Sequence, residues 1–241
     1  MRIKDQFDPV IRKKIRTTKI AAVIPVGSLE QHGPHLPVST DSDIVTKVCE
    51  RISEKNNFLL LPTVNYGVSY EHAPYFNVSV TKSTLSKILA DMILSLEQNK
   101  ISNVFVINGH HGNIDALRTL EKSKAFSKKT KVFTFSYWHF MSQEFDHAGF
   151  VETSLMLAIS KNVNMKKAVK GFSPGNISAK QRQAINKKAS KSFISVTKNG
   201  VWGDPRDANS RDGKKILAEI VTNLGKKCQT CLTGKSPKLH Q

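Results

Sequence analysis

One short segment of the chain holds a dense group of side chains that can bind metal ions. Residues 27–43 follow the apolar run 20–26, which its composition predicts to be a buried strand. Glu30, His32 and Asp41 are the candidate ligands in this segment, and glycines and prolines shape a turn around them. Oxygen and imidazole donors that converge on one point are what a divalent ion requires.

Each of these residues also has an ordinary structural explanation when it is taken alone. In an extended segment the side chains of Glu30 and His32 point to the same side, but a single loop histidine is often only a hydrogen-bonding residue. Asp41 stands where the next helix begins, so it is as suited to capping that helix as Asp43 is. The occurrence of all these groups in one loop favours a metal site.

A second histidine-bearing loop, residues 108–113, follows the apolar run 104–107. The glycines on either side of His110 and His111 let the backbone approach a ligand closely. An Asn-Gly-His sequence also suits a tight turn, so this motif by itself indicates little. Together with the first loop, it makes His110 a candidate for a further metal ligand.

A third cluster, residues 146–154, places His147 and Glu152 on either side of a small-residue turn that opens an apolar helix. Two interpretations stay open. Asp146 or Thr153 can cap the start of the helix. Alternatively, His147 acts as a general acid or base beside the Glu152 carboxylate, which orients it.

Strands and helices alternate along the chain, and this order predicts an α/β fold with a mostly parallel sheet covered on both faces. Apolar patterning predicts strands at residues 20–26, 58–64, 104–107 and 132–137. It predicts helices at residues 43–55, 85–96, 114–126, 152–160 and 211–224, and a basic helix bounded by loops within 166–198. Ligands bind beyond the carboxyl ends of parallel strands, so the histidine loops can meet there.

The length of 241 residues fits a single domain, with a core at about residues 20–224 and a frayed tail from residue 226. No signal peptide and no apolar run of spanning length is evident, and three cysteines do not make a disulfide framework. These features predict a soluble cytoplasmic protein with no membrane partner. Cys228 and Cys231 form a lone CxxC pair. Two cysteines do not supply the four ligands that a closed zinc site requires.

The formal net charge of +18 has three possible explanations. It can reflect lysines scattered over a solvated surface, a nucleic-acid partner, or a phosphorylated small substrate captured by a positive field. Aromatic residues are only 7% of the chain and do not alternate with the basic residues, and no nucleic-acid-binding motif is present. The solvated surface is therefore the favoured explanation, and a nucleic-acid partner is not expected.

The motifs and their order resemble those of the creatininase (creatinine amidohydrolase) family. They are Gly27-Ser28-Leu29-Glu30-Gln31-His32-Gly33-Pro34-His35-Leu36-Pro37 with Thr40-Asp41, Asn108-Gly109-His110, His147-Ala148-Gly149 with Glu152-Thr153-Ser154, and Gly200-Val201-Trp202-Gly203-Asp204-Pro205. The resemblance covers about residues 20–224. It implies a three-layer α/β/α sandwich, a homo-oligomer, and a centre of two divalent metal ions that hydrolyses C–N bonds of cyclic or formyl amides.

Carried over by position, the resemblance implies that Glu30 and His110 bind one metal, that His32 binds the other, and that Asp41 bridges the two. His147 matches the catalytic histidine of the family, and Glu152 the acidic residue of its Glu-Thr-Ser motif. Iron(II), zinc and manganese all accept such ligands.

Two positions depart from creatininase itself. Gly112 stands where creatininase has a glutamate that binds the second metal, so that metal binds more weakly here or recruits Glu152 or water. Gln143 replaces the tryptophan that closes over creatinine, and this favours other branches of the family.

The resemblance first suggests the archaeal deformylase that removes formate from a formylamino-pyrimidine ribosyl phosphate, on the way to riboflavin and a deazaflavin coenzyme. Hydrolysis of creatinine and trimming of a peptide in mycofactocin maturation are the alternatives. In each case the partner is a small amide substrate, and in the first it is phosphorylated. A basic nucleotide- or nucleic-acid-binding protein is the alternative from another class, but it would need a glycine-rich phosphate loop after a strand, and the sequence has none.

Overall fold

A four-stranded parallel sheet with the strand order β2-β1-β3-β4 forms the centre of the molecule. The computed structural model describes residues 1–123, 125–175 and 177–234. The strands are β1 (Ala21–Val26), β2 (Leu59–Leu60), β3 (Asn103–Asn108) and β4 (Lys131–Ser136). The two interior strands, β1 and β3, are buried along almost their whole length, as apolar parallel strands covered on both faces should be.

Helices connect the strands and cover the sheet. Within the described residues the α-helices are α1 (Asp8–Thr17), α2 (Thr40–Asn56), α3 (Lys82–Gln98), α4 (Ile114–Glu121), α5 (Phe150–Ile159), α6 (Ala179–Ala189), α7 (Ile194–Thr197) and α8 (Ser210–Thr233). Several begin at side-chain caps, such as Thr81 before α3 and Asn209 before α8, whose oxygens accept a backbone N–H from the first turn.

Two hydrophobic cores lie on opposite faces of the sheet, and they confirm the three-layer α/β/α sandwich. One core contains apolar side chains of α2, α5 and α8, and the other contains those of α3 and α4. Side chains along β1 alternate between the two cores: Val23 belongs to the first core and Ile24 to the second.

Two element boundaries differ from the sequence prediction in ways that matter for the site. The second strand pairs only over Leu59–Leu60. The next residue of β1 that faces β2 is Pro25, which has no N–H to donate, and Val64 then makes only an isolated bridge to Val26. Helix α2 begins at Thr40, three residues earlier than predicted, so Asp41 lies inside its first turn.

The prediction of a frayed tail from residue 226 is wrong for residues 226–233. Helix α8 continues through them to Thr233, and Cys228 is fully buried in the core that α8 shares with α2 and α5. Burial raises the pKa of the Cys228 thiol to about 12, which makes it an inert core residue. Residues 235–241 lie outside the described part of the chain.

Other differences are smaller. Helix α1 precedes the first predicted strand, α4 ends at Glu121 rather than near residue 126, and the basic region 166–198 contains α6 and α7. In the portion of the chain that the structure describes, no helix has both the length and the apolar character needed to cross a membrane.

Candidate metal centre

Loops from the carboxyl ends of all four strands meet at one edge of the sheet. This is the edge where an open parallel sheet binds its ligands. The side chains brought together are Glu30 and His32 after β1, His72 after β2, His110 after β3, His147 after β4, and Asp41 and Glu152 in the first turns of α2 and α5. The six residues that the sequence singled out are all among them.

Short side-chain contacts between the loops fix this meeting point. The Asn113 side-chain amide donates to the carbonyl oxygen of Gly27 at 3.0 Å and accepts the N–H of Val68 at 2.9 Å, which joins the segments after β1, β2 and β3. A Cβ at Gly109 would lie 2.7 Å from the carbonyl oxygen of Asp41. Glycine is therefore required for the loop carrying His110 to approach the start of α2.

Asp41 lies between two groups of donor atoms, with one carboxylate oxygen facing each. Its Oδ2 is 3.1 Å from His110 Nδ1, which is itself 3.2 Å from Glu30 Oε1. Its Oδ1 is 3.2 Å from His32 Nε2, which is 3.5 Å from Glu152 Oε2. Asp41 does not cap α2, and the side chain of Asp43 instead accepts a hydrogen bond from Ser39.

Backbone carbonyls determine which nitrogen of each of these histidines is free. His32 Nδ1 lies 3.1 Å from the carbonyl oxygen of Glu30, and His110 Nε2 lies 2.8 Å from that of Val68. A carbonyl can only accept, so each of these nitrogens carries the proton. The lone pairs of His32 Nε2 and His110 Nδ1 therefore face Asp41, in the arrangement that metal-binding histidines require.

The buried polar atoms here are not satisfied by the protein alone. Both Glu30 carboxylate oxygens, His32 Nε2, Asp41 Oδ2 and Glu152 Oε1 are buried without a hydrogen-bond partner. Leaving such atoms unpaired is costly, so a cluster of them calls for an explanation. Three carboxylates and two oriented imidazoles are the donor set that divalent ions prefer, and these residues fit such ions.

Without metal ions, protons on the histidines balance the negative charge of the buried carboxylates in this cluster. Burial opposes the charge on Glu30, but the imidazoles of His110 and His72 outweigh it and hold the pKa of this carboxyl well below its usual range. Burial also opposes the charge on His32, yet Asp41 and Glu152 raise the pKa of this imidazole. Metal ions would displace these protons, which makes metal binding pH-dependent.

His147 is held by Gln31, in contrast to the expectation that Glu152 orients it. The His147 ring stacks on His32 with centroids 4.2 Å apart, and its Nε2 is 3.1 Å from the Gln31 side-chain nitrogen. Glu152 instead accepts the N–H of Ala148 at 2.7 Å and faces His32. Burial and the neighbouring imidazoles hold the pKa of His147 well below its usual range.

Of the two capping candidates near α5, Asp146 is the cap. Its carboxylate oxygens accept the N–H groups of Val151 and Glu152 at 2.8 and 3.2 Å. The Thr153 hydroxyl is instead 2.9 Å from His35 Nε2, so His35 belongs to the support of the site and lies outside the ligand cluster. The backbone of the first turn of α5 is satisfied by Asp146, and Glu152 is left to face His32.

Sequence reasoning missed Gln31 and His72. His72 Nε2 lies 3.0 Å from Glu30 Oε1, and His72, Glu30 and His147 form a further group with metal-ligand spacing. The available signal was positional, since His72 is a histidine in the segment after a predicted parallel strand. Gly112 has no side chain and offers no ligand. A Cβ there would lie 2.1 Å from the carbonyl oxygen of Val68, so a larger residue would not fit without a shift of the backbone.

Comparison with known proteins identifies one family model and several relatives. The family model described as "Creatininase: Creatinine amidohydrolase" matches residues 9–228. A mycofactocin precursor peptide peptidase of Mycobacterium ulcerans is 31% identical, over 86% of this chain and 84% of the relative. A creatinine amidohydrolase of Pseudomonas putida is 32% identical over 57% of this chain and 63% of its own length. A 2-amino-5-formylamino-6-ribosylaminopyrimidin-4(3H)-one 5'-monophosphate deformylase of Methanothermus fervidus is 27% identical, covering 89% and 85% of the two chains.

Solved structures share the fold. A crystal structure of creatinine amidohydrolase superposes with a TM-score of 0.78 at 22% identity, covering 98% of both chains. A creatininase described with manganese has a TM-score of 0.78 at 23% identity, covering 95% of this chain and 97% of that one. A mutant creatininase described as Zn-Zn type also has a TM-score of 0.78, at 21% identity, covering 95% and 96%. The chain belongs to the creatininase family and is an amidohydrolase of that family.

Proposed function

We propose that Glu30, Asp41 and His110 hold one divalent ion and that His32, Asp41 and Glu152 hold a second. The observation that carries this proposal is the position of Asp41, whose two oxygens face two separate donor groups. Glu152 takes the place of the carboxylate that position 112 does not supply. Manganese and zinc are the first ions to test, because solved creatininases are described with them; iron(II) accepts the same donors.

The reaction is hydrolysis of an amide C–N bond. Bound divalent ions would lower the pKa of a water molecule and polarise the amide carbonyl. The leaving nitrogen needs a proton, because an amide anion is a poor leaving group. His147, with its low pKa, is neutral at pH 7, so its imidazole can take the proton of the attacking water and pass it to that nitrogen.

We propose a peptide amide as the substrate. Support comes from the mycofactocin precursor peptide peptidase of Mycobacterium ulcerans, which shares 31% identity over more than four-fifths of both chains, whereas the deformylase of Methanothermus fervidus shares 27%. Deformylation of a phosphorylated formamide is the second candidate. The net charge of +18 supports it, because a positive field favours capture of a phosphate.

The test is a product assay on the protein stripped with a chelator and reloaded with manganese, zinc or, without oxygen, iron(II). Short peptides are assayed for released amine, formamides with and without a phosphate group for formate, and creatinine for creatine. Asp41→Asn protein, purified and loaded in the same way, is the control for a contaminating hydrolase. Release of amine by the wild type alone supports the peptidase, and release of formate alone supports the deformylase. No turnover of any amide with any of the ions would refute the proposed reaction.

A further inference from the structure

We infer that Gln31 and His72 are positioning residues that orient the Glu30 carboxylate toward the metal, and that His72 is not itself a ligand. The inference rests on the proposed metal-binding role of Glu30. It begins from three contacts in sequence: Gly33 to Gln31, Gln31 to His72, and His72 to Glu30. We call these three contacts the relay.

The backbone fixes the orientation of the Gln31 amide. The N–H of Gly33 donates to Gln31 Oε1 at 2.9 Å. The reversed amide would set its NH2 group against this N–H, donor against donor, so the assignment of oxygen and nitrogen follows from the contact. A Cβ at Gly200 would lie 1.9 Å from Gln31 Oε1, so glycine at that position is what leaves room for the amide.

The orientation of Gln31 in turn fixes the tautomer of His72. Gln31 Nε2 can only donate, and it lies 2.9 Å from His72 Nδ1. His72 Nδ1 is therefore the unprotonated acceptor, and the ring proton is on Nε2. His72 Nε2 lies 3.0 Å from Glu30 Oε1, so the proton on this nitrogen is on the side of the carboxylate. Neither ring nitrogen of His72 has a lone pair left for an ion.

The relay leaves Glu30 with a defined direction. His72 Nε2 and His110 Nδ1 both lie next to Glu30 Oε1, at 3.0 and 3.2 Å. A carboxylate oxygen has two lone-pair sites, so Oε1 can accept from His72 and still turn a lone pair toward an ion beside His110. The ring of Phe193 packs on that of His72 with centroids 4.7 Å apart, which limits its rotation. Partners of this kind, one step removed from the metal, typically change metal affinity 10- to 100-fold when mutated.

The variants are chosen to separate a positioning role from ligation. His72→Phe keeps an aromatic ring against Phe193 and removes both nitrogens. His72→Gln keeps an N–H donor at about the position of Nε2, whereas His72→Asn carries its amide near Nδ1, too short to reach Glu30. Gln31→Glu keeps the shape of the side chain but cannot donate to His72 Nδ1. Cooperative melting and unchanged circular dichroism identify the variants that fold.

The first measurement is zinc affinity and stoichiometry against a chromophoric chelator. We expect His72→Phe, His72→Asn and Gln31→Glu to bind zinc about 10- to 100-fold more weakly, while His72→Gln stays within a few-fold of wild type. The number of zinc ions bound at saturation should not change. Wild-type affinity in His72→Phe would overturn the relay, and loss of a whole ion from His72→Phe would show that His72 is a ligand.

The second measurement is the ¹⁵N spectrum of histidine in the metal-free protein, with the His72 signals identified by their loss in His72→Phe. We expect the Nε2–H tautomer in wild type and its loss in Gln31→Glu. An Nδ1–H tautomer in wild type would overturn the relay. This result does not depend on bound zinc, so a wild type that binds no ion refutes the metal centre while the spectrum still decides the relay.

Discussion

At the scale of single residues, Asp41 has the most demanding position in the site, since each of its oxygens faces an imidazole from a different loop. We predict that Asp41→Ala lowers the metal content more than any other single ligand change, from about two ions toward none. Glu30→Ala and His32→Ala, which each remove a donor from one group only, should lose about one ion. Elemental analysis after reconstitution measures this, and equal losses in all three variants would contradict a bridging role.

His147 differs from the ligands in being held by Gln31 and not fully buried, with 13% of its side chain exposed. We predict that His147→Gln keeps its metal and loses turnover about 10²- to 10⁴-fold, the usual contribution of general acid–base catalysis. Metal content and kcat are measured on the same preparation. Near-normal turnover would make His147 a structural residue, and loss of metal would make it a ligand.

His35 gives a pH-dependent contribution to stability. Burial, with the nearby His32 charge, lowers the pKa of its imidazole to about 4 from 6.5. Between these values the unfolded chain binds the proton and the folded chain does not, so the stabilisation is full above pH 6.5 and is lost as the pH falls toward 4.

We predict that His35→Gln, which can still reach the Thr153 hydroxyl, flattens this dependence. The free energy of unfolding of the metal-free protein should fall less steeply between pH 6.5 and 4, by at most about 1.4 kcal/mol per pH unit, the contribution of one proton. Urea unfolding of both proteins at several pH values tests this. Identical slopes would show that His35 does not contribute.

At the scale of elements, α8 packs on α5, the helix whose first turn carries Glu152. Gly213 makes the closest approach, because a Cβ there would lie 1.8 Å from the carbonyl oxygen of Ser154 and 3.0 Å from the Cβ of Ala158. The same helix contains Gly225, where a Cβ would meet only the side-chain nitrogen of Asn56 at 3.2 Å. These two glycines provide a matched pair.

We predict that Gly213→Ala destabilises the fold by about 1–3 kcal/mol, since overpacking outweighs the gain in helix propensity. Gly225→Ala should be neutral or stabilising by up to about 1 kcal/mol, because there the propensity gain has little to oppose it. Chemical denaturation of both variants measures the difference. Equal stability of the two variants would mean that the helices adjust without cost.

At the scale of the whole molecule, the two cores do not depend on the metal centre. They fill opposite faces of the sheet with apolar side chains from five helices, and the site lies at one edge. A chain of this length buries a sufficient core without an ion, unlike a zinc finger.

We therefore predict that the metal-free protein unfolds cooperatively, at a lower melting temperature than the loaded protein. The difference should grow with the concentration of free metal, as expected when a ligand binds only the folded state. Thermal melts with a chelator and with increasing metal test this. A metal-free protein with the circular dichroism of a random coil would contradict it.

The sequence by itself determined the fold class and six of the residues that meet at the site. Apolar runs that alternate with helical stripes are a local pattern, and so are Glu30, His32 and His110 placed directly after strands. Local patterns of this kind can be recognised in the sequence, because burial on both faces of a parallel strand requires that the strand be composed of apolar residues.

Only the tertiary structure decided how those residues are oriented and which others join them. The tautomers of His32 and His110 depend on carbonyls of distant or turn residues. The position of Gln31 between His72 and His147 depends on segments 41 and 116 residues away. Hydrogen bonds between loops form only when the fold brings the ends of the strands together, and they leave no periodic pattern in the sequence. The same holds for α8, whose last turns are ordered by packing against the core and not by their own composition.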